Sequence, residues 1–137
     1  MRSLAWLLLI PLLSACCAGA PTDDAPKPMT DQVVGPAQVI AAYFEAVQAG
    51  DRDASLAMGI SEWAAREAEW RQGFTYAFFN EGVGVQSWEL VSINREGDGV
   101  SARVRAVLTR EGEEPDHEGM LFAMTEVDGS WKITSLR

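Results

Sequence analysis

Residues 100–109, VSARVRAVLT, alternate between apolar side chains and other residues. A period of two places successive side chains on opposite faces of a β-strand. The apolar set on one face comprises Val100, Ala102, Val104, Ala106 and Leu108. Arg103 and Arg105 fall on the other face, where we expect cross-strand pairing with acids such as Glu89. The stretch therefore predicts a strand with one face in the core and one in solvent.

Three further segments show the same alternation and are separated by turn sequences. They span residues 85–93, 118–127 and 130–136. Gly97-Asp98-Gly99 lies between the first of them and the stretch above, and Asp128-Gly129 lies between the last two. Asp-Gly pairs of this kind are typical of tight β-hairpins. The second half of the chain thus predicts an antiparallel meander.

Before residue 81 the apolar residues recur at helical spacing instead. Pro36 fits the first turn of a helix and Gly50 its end. The apolar stripe between them is formed by Val39, Ile40, Tyr43, Phe44 and Val47. Helices followed by an antiparallel sheet predict an α+β fold, with the helices packed on one sheet face.

Two shorter helices are predicted after the first. Asp51 or Asp53 caps the second, which runs through Met58. Ser61 caps the third, in which Trp63, Glu67, Trp70 and Phe74 recur at helical spacing. Glu67 and Arg71 stand four residues apart, so an ion pair on the helix surface is expected.

The amino terminus predicts export. Arg2 is followed by an apolar run over residues 4–13, which is too short and too interrupted by Pro11 to span a bilayer. Residues 13–16, Leu-Ser-Ala-Cys, resemble a bacterial lipobox. This resemblance implies a signal peptide over residues 1–15, with Cys16 lipidated and first in the mature protein. Cleavage after residues 18–20, Ala-Gly-Ala, is the alternative, but Pro21 would then follow the cut.

Residues 16–35 predict a lipidated start and an extended tether, because they are small, polar and rich in proline. The folded domain is expected over residues 36–137. Two or three acyl chains would hold it firmly at a membrane. In the sorting pattern that the lipobox resemblance implies, Asp after the lipidated cysteine retains a protein at the inner membrane. Cys17 stands there instead, so the periplasmic side of the outer membrane is the expected location in the cell envelope.

Charge and cysteine content narrow the function classes. Loss of residues 1–15 removes the charge of Arg2 and changes the formal net charge from −9 to −10. Such an acidic protein is a poor binder of nucleic acid, which requires clustered basic residues. With Cys16 lipidated, Cys17 has no partner for a disulfide within the chain.

The predicted domain resembles the nuclear transport factor 2-like and ketosteroid isomerase-like (SnoaL-like) superfamily. The resemblance rests on residues 39–51, VIAAYFEAVQAGD, and residues 127–133, VDGSWKI. It implies a cystatin-like cone, in which helices pack on a curved antiparallel sheet. The resemblance also implies one of the roles found in this superfamily, whose members include isomerases, dehydratases, ligand binders and tethered lipoproteins. Some members form dimers through the sheet. A fold alone does not choose among these activities.

Catalytic candidates are few. Tyr43 could donate a hydrogen bond to an oxyanion, Glu118 could abstract a proton if it shares a face with Met120 and Phe122, and His117 is the single histidine. No cofactor is indicated. The acidic segment 110–118 matches no metal motif, so no metal site is predicted.

A ligand pocket inside the cone is a further candidate, and a filled hydrophobic core is the alternative that a domain of this size favours. Four large apolar side chains could line the inside of the cone, namely Trp63, Trp88, Met120 and Met124. The lack of a catalytic motif and the predicted tether favour a non-enzymatic envelope lipoprotein that binds a partner protein or a small apolar ligand. The alternative is an isomerase or dehydratase with a buried carboxylate and a tyrosine. A homodimer formed through the sheet is a further expectation.

Overall fold

A computed structural model describes the backbone of residues 27–137 and the side chains of residues 35–137. The predicted signal peptide, Cys16 and the start of the predicted tether lie outside these residues. Four helices are followed by four strands. The helices are α1 (Lys27–Ala49), α2 (Arg52–Leu56), α3 (Ser61–Glu69) and α4 (Phe74–Asn80), and the strands are β1 (Gly84–Glu96), β2 (Gly99–Thr109), β3 (Asp116–Val127) and β4 (Ser130–Leu136). The predicted α+β class is confirmed.

The four strands form one open antiparallel sheet in the order β1-β2-β3-β4. The predicted meander is therefore correct, and the strand ends differ by at most three residues from those expected. The last turn is formed by Asp128 and Gly129, whose φ angles are 51° and 80°. Positive φ at both central residues defines the hairpin turn that an Asp-Gly pair favours.

The apolar face of the sheet, here called the core face, is covered by the helices. It comprises Val100, Ala102, Val104, Ala106, Leu108, Met120, Phe122, Met124 and Ile133, each at most 6% exposed. Ile40, Tyr43 and Phe44 of α1 are fully buried against them. On the opposite outer face, Arg105 Nη1 lies 3.0 Å from Glu89 Oε1, and Glu89 is its register partner. The predicted cross-strand pair is confirmed.

Helix α1 begins earlier than the sequence indicated. It starts at Lys27, so Pro36 lies inside the helix and not in its first turn. A proline there removes one backbone hydrogen bond of the helix. The end of α1 is as predicted: Gly50 has a φ of 72°, and Asp51 accepts a hydrogen bond from the Ala54 amide at 3.0 Å, which caps α2.

The third predicted helix is divided in two. Helix α3 ends at Glu69, and Phe74 belongs to the separate helix α4. A turn joins the two helices, in which the Gly73 amide donates to the Trp70 carbonyl at 3.0 Å. This turn brings α4 back beside α3. Among the described residues no helix is both long and apolar enough to cross a bilayer.

Candidate functional site

One ionisable side chain is buried inside the helical layer. Glu67 is 1% exposed, and it shares the buried face of α3 with Trp63. The two residues are four apart, so their side chains are neighbours one helical turn from each other. Acidic side chains are rarely buried without a partner. Glu67 is therefore the first residue to consider for function.

The groups around Glu67 are polar but do not satisfy it fully. Thr75 and the Trp63 indole lie beside the carboxyl. Within the described residues, however, neither Glu67 Oε2 nor Trp63 Nε1 has a hydrogen-bond partner. Thr75 Oγ1 is instead 2.7 Å from the hydroxyl of Tyr43. One carboxyl oxygen and the indole N–H thus lie close together inside the helical layer without a well-formed hydrogen bond.

This environment favours the neutral form of the carboxyl group. Burial raises the pKa of Glu67 above its ordinary value, and the opposing effects of Thr75, Arg66 and Trp63 are smaller. Burial also raises the pKa of Tyr43, although its hydrogen bond with Thr75 offsets part of this. A protonated Glu67 can donate a hydrogen bond, which an ionised one cannot do.

Glu67 lines a cleft between α3 and the end of β4. The cleft has a volume of about 340 Å³, at the small end of the range for ligand pockets. Its other lining residues are Arg66, Trp70, Ser135, Leu136 and Arg137. Trp70 is 39% exposed, which makes it one of the few exposed large apolar side chains. The cleft is thus lined by a buried acidic residue, two arginines and an exposed tryptophan.

Local backbone features hold the cleft in shape. The backbone of Arg137 pairs with Leu121 through N–H···O distances of 3.1 and 2.7 Å. At the α3–α4 turn, Gly73 leaves room for two cleft side chains. A Cβ at this position would lie 2.8 Å from Trp70 Cε3 and 3.2 Å from Glu67 Oε2. The glycine therefore allows the α3–α4 turn to close against both side chains.

Two larger grooves lack these features. One, of about 560 Å³, includes His117, Glu89 and Arg105, all exposed, and the last two are already paired with each other. The other, of about 570 Å³, lies between α2, α3 and β4, and its charged residues are not buried. Among the side chains of residues 35–137, no group of three from His, Cys, Asp or Glu is arranged to hold a metal ion.

The structure separates the predicted catalytic candidates. His117 and Glu118 are adjacent in β3, so they point to opposite faces of the sheet. Glu118 does share the core face with Met120, and it is half-buried opposite Ala106. Tyr43 is fully buried, and its hydroxyl is bonded to α4. The assignment of these three residues to a catalytic site stays a prediction.

The four predicted pocket residues lie in the hydrophobic core. Trp63, Met120 and Met124 are at most 2% exposed. Trp88 is half-buried and stacks on Phe44 with ring centroids 4.9 Å apart. A cavity lined by these four side chains also stays a prediction, and the cleft with Glu67 is lined by other residues.

Sequence reasoning missed Glu67 as a site residue. It placed Glu67 on the helix surface and paired it with Arg71, but Glu67 is buried and Arg71 is exposed. That prediction was wrong because α4 folds back over this side of α3. The available signal was the spacing of Glu67 four residues after Trp63 and three before Trp70, which puts it on the apolar stripe.

The fold defines the class of protein as α+β, with helices on one face of an open four-stranded antiparallel sheet. Among solved structures it is similar to the solution structure of a SEC-C motif containing protein from Rhodopseudomonas palustris. The TM-score is 0.62 at 13% sequence identity, over 75% of this chain and 77% of that chain. No family model matches the sequence. No curated protein matches it either.

The expected membership of the nuclear transport factor 2-like superfamily is wrong. The structural neighbour is a SEC-C motif protein, whose fold differs from that superfamily's cone. The misleading segments were residues 39–51 and 127–133. They encode a helix cap and a hairpin turn, and local physics produces these in many α+β folds.

Proposed function

We propose that the domain binds a small ligand with an apolar or aromatic part in the cleft between α3 and β4, without catalysing a reaction. The observation that carries this proposal is the buried Glu67 carboxyl, whose Oε2 has no partner among the described residues. A buried polar group without a partner costs about 1–3 kcal/mol. Glu67 lines the cleft, so a ligand that reaches its carboxyl group can supply the missing hydrogen bond and recover that free energy on binding.

Trp70 supports the same interpretation. Its indole is 39% exposed beside the buried carboxyl. Tryptophan offers a large rigid surface for an aromatic or aliphatic group. A polar group at the floor of a cleft and an aromatic group at its rim are the usual elements of a small-molecule site.

We also propose that the protein acts at the cell envelope. The support is the sequence of residues 13–16, which predicts a lipid on Cys16. A tether after the lipid would let the domain meet its ligand away from the bilayer surface. The periplasmic side of the outer membrane is the location that this sequence favours.

Native mass spectrometry of the exported full-length chain tests the binding function. We expect an additional mass of a few hundred daltons on the folded protein, and we expect the variant Trp70→Ala to lose it. Val91→Ala is the matched control, because Val91 is 47% exposed on the edge strand β1, which contributes no residue to the cleft. A bare mass in the wild type under several extraction conditions would contradict the proposal.

A second candidate function is general acid-base catalysis by Glu67. The raised pKa of a buried carboxyl favours it, because such groups are frequent in active sites. Tyr43 would then be a positioning residue, since its hydroxyl is occupied by Thr75. Catalysis would be favoured over binding alone if the wild type converts the retained ligand chemically, whereas Glu67→Gln retains the ligand without converting it.

A further inference from the structure

The charge of the cleft is opposite to the charge of the molecule. The chain has a formal net charge of −9, yet two of the three charged residues that line the cleft are Arg66 and Arg137. The third is Glu67, for which burial favours the neutral form. A neutral Glu67 leaves the cleft with two positive charges and no negative side chain among its lining residues.

Among the described side chains of residues 35–137, no acidic group forms an ion pair with either arginine. Within the described residues the ion pair found is that of Arg105 with Glu89, on the outer face of the sheet. Arg66 Nη2 makes a contact of 3.5 Å with the Thr134 carbonyl, which is long for a hydrogen bond. Most of the donors of these two guanidinium groups are therefore free to bind an anion.

The protein groups that face Glu67 are compatible with a nearby anion. Tyr43 from α1 is neutral, Thr75 from α4 is a hydroxyl, and Arg66 from α3 is positive. Arg137, after β4, adds the second positive charge in the cleft. An anion would in turn favour the protonated state of Glu67, because like charges disfavour ionisation.

We propose that the ligand is a small aromatic or apolar carboxylic acid. Its carboxylate binds Arg66 and Arg137, and its apolar part lies against Trp70. Glu67 donates a hydrogen bond to the ligand. This inference rests on the proposed binding function and names its ligand class. The guanidinium fork matches a carboxylate in two parallel hydrogen bonds. The volume of about 340 Å³ suits a ligand of one or two fused rings.

Two isosteric probes test the inference on the wild-type, full-length protein. Isothermal titration calorimetry compares 2-naphthoate with 2-naphthamide, which differ in charge but hardly in shape. We expect naphthoate to bind at least tenfold more tightly. Equal affinity, or tighter binding of the amide, would overturn the inference and leave the proposed binding function intact.

Variants assign the charge preference to the cleft. Arg66→Gln and Arg137→Gln should each weaken naphthoate binding about tenfold, as expected for the loss of one charge-assisted hydrogen bond. Arg103→Gln is the matched control, because Arg103 is exposed on the outer face of the sheet. Glu67→Leu should also weaken naphthoate binding, because leucine cannot donate the hydrogen bond. Unchanged affinity in this variant would contradict a hydrogen bond from Glu67 to the ligand.

Absence of binding by both probes would also overturn the inference. The native mass spectrum distinguishes that result from failure of the binding function itself. A retained mass that Trp70→Ala abolishes would support the binding function with a ligand of another class. A bare mass would contradict both the binding function and the inferred ligand class.

Discussion

The hydroxyl oxygen of Tyr43 lies 2.7 Å from Oγ1 of Thr75, and this hydrogen bond joins α1 to α4 across 32 residues of sequence. The Tyr43 ring also meets Phe44, Trp63 and Phe122 edge to face. Thr75 in turn lies beside the Glu67 carboxyl. The packing of the first helix is thus connected to the floor of the cleft through two side chains.

Tyr43→Phe should destabilise the fold by about 1–2 kcal/mol, because the buried Thr75 hydroxyl loses its partner while the packing of the ring is kept. The free energy of unfolding in urea measures this. Tyr76→Phe is the matched control, since Tyr76 is half-buried in the same helix as Thr75. Equal stability of the two variants would show that the hydrogen bond adds nothing.

Gly59→Ala should be more harmful than a surface glycine substitution. A Cβ at Gly59 would lie within 2 Å of Trp63 Cε3, and Trp63 is fully buried. The neighbouring backbone is also fixed, because Ile60 N–H donates to the Ile133 carbonyl at 2.9 Å. We expect a loss of about 1–3 kcal/mol by overpacking. Gly119→Ala is the control, as no atom lies within 4 Å of its added methyl group; similar losses in both would contradict the prediction.

The stability of the protein should depend on the ionisation of Glu67. Its pKa is raised by burial, so the native state binds more protons than the unfolded chain between the ordinary value of 4.5 and the raised value. The free energy of unfolding contributed by this group is therefore highest at low pH, and it falls as the pH rises through that window. Glu67→Gln should remove this fall and be more stable than the wild type at pH 8, by about 1.4 kcal/mol for each unit of pKa change.

Urea unfolding between pH 4 and pH 8 measures the effect of Glu67→Gln. Glu69→Gln is the matched control, because Glu69 is exposed on the same helix and its substitution removes the same charge. The control should follow the wild-type curve. A Glu67→Gln curve parallel to that of the wild type would show that the carboxyl has no raised pKa in the native state.

The arrangement of helices and strands could be predicted because it depends on short-range periodicity. The alternation in residues 100–109 fixed which face of β2 is buried, and Gly50 and Asp51 marked the joint between α1 and α2. The start of α1 at Lys27 was not predictable from Pro36, which is acceptable both in a first turn and, at a cost, inside a helix.

The site could not be predicted because it depends on contacts distant in the sequence. The spacing of Glu67 from Trp63 indicates burial, but the cleft forms only when α4 folds back at Gly73 and β4 brings Arg137 beside α3. The two segments that suggested a cone superfamily encode a cap and a turn, which occur in many α+β folds and do not specify the superfamily. Local signals therefore gave the elements, while the cleft required their packing.

Gly73→Ala should disturb the cleft with little effect on the fold. The φ angle of Gly73 is −80°, which alanine adopts without strain, so the added methyl group acts by displacing Trp70. We expect a shift in tryptophan fluorescence and weaker binding of 2-naphthoate, with a change in unfolding free energy below about 1 kcal/mol. Gly119→Ala should leave both readouts unchanged. Unaltered fluorescence and binding in Gly73→Ala would show that Trp70 is not held against this glycine.

Cys16→Ser should release the protein from the membrane, because the predicted lipid requires the sulfur of Cys16 and the described residues contain no helix that could cross a bilayer. Membrane fractionation measures the distribution, and mass spectrometry of the amino-terminal peptide detects the acyl chains. Cys17→Ser is the matched control, since it removes the adjacent thiol and leaves Cys16 in place. We expect the control to stay with the membrane. If Cys16→Ser also stays there, or if the wild-type peptide begins after Ala20 without acyl chains, the lipid anchor is wrong and the cleft would meet its ligand as part of an unanchored protein.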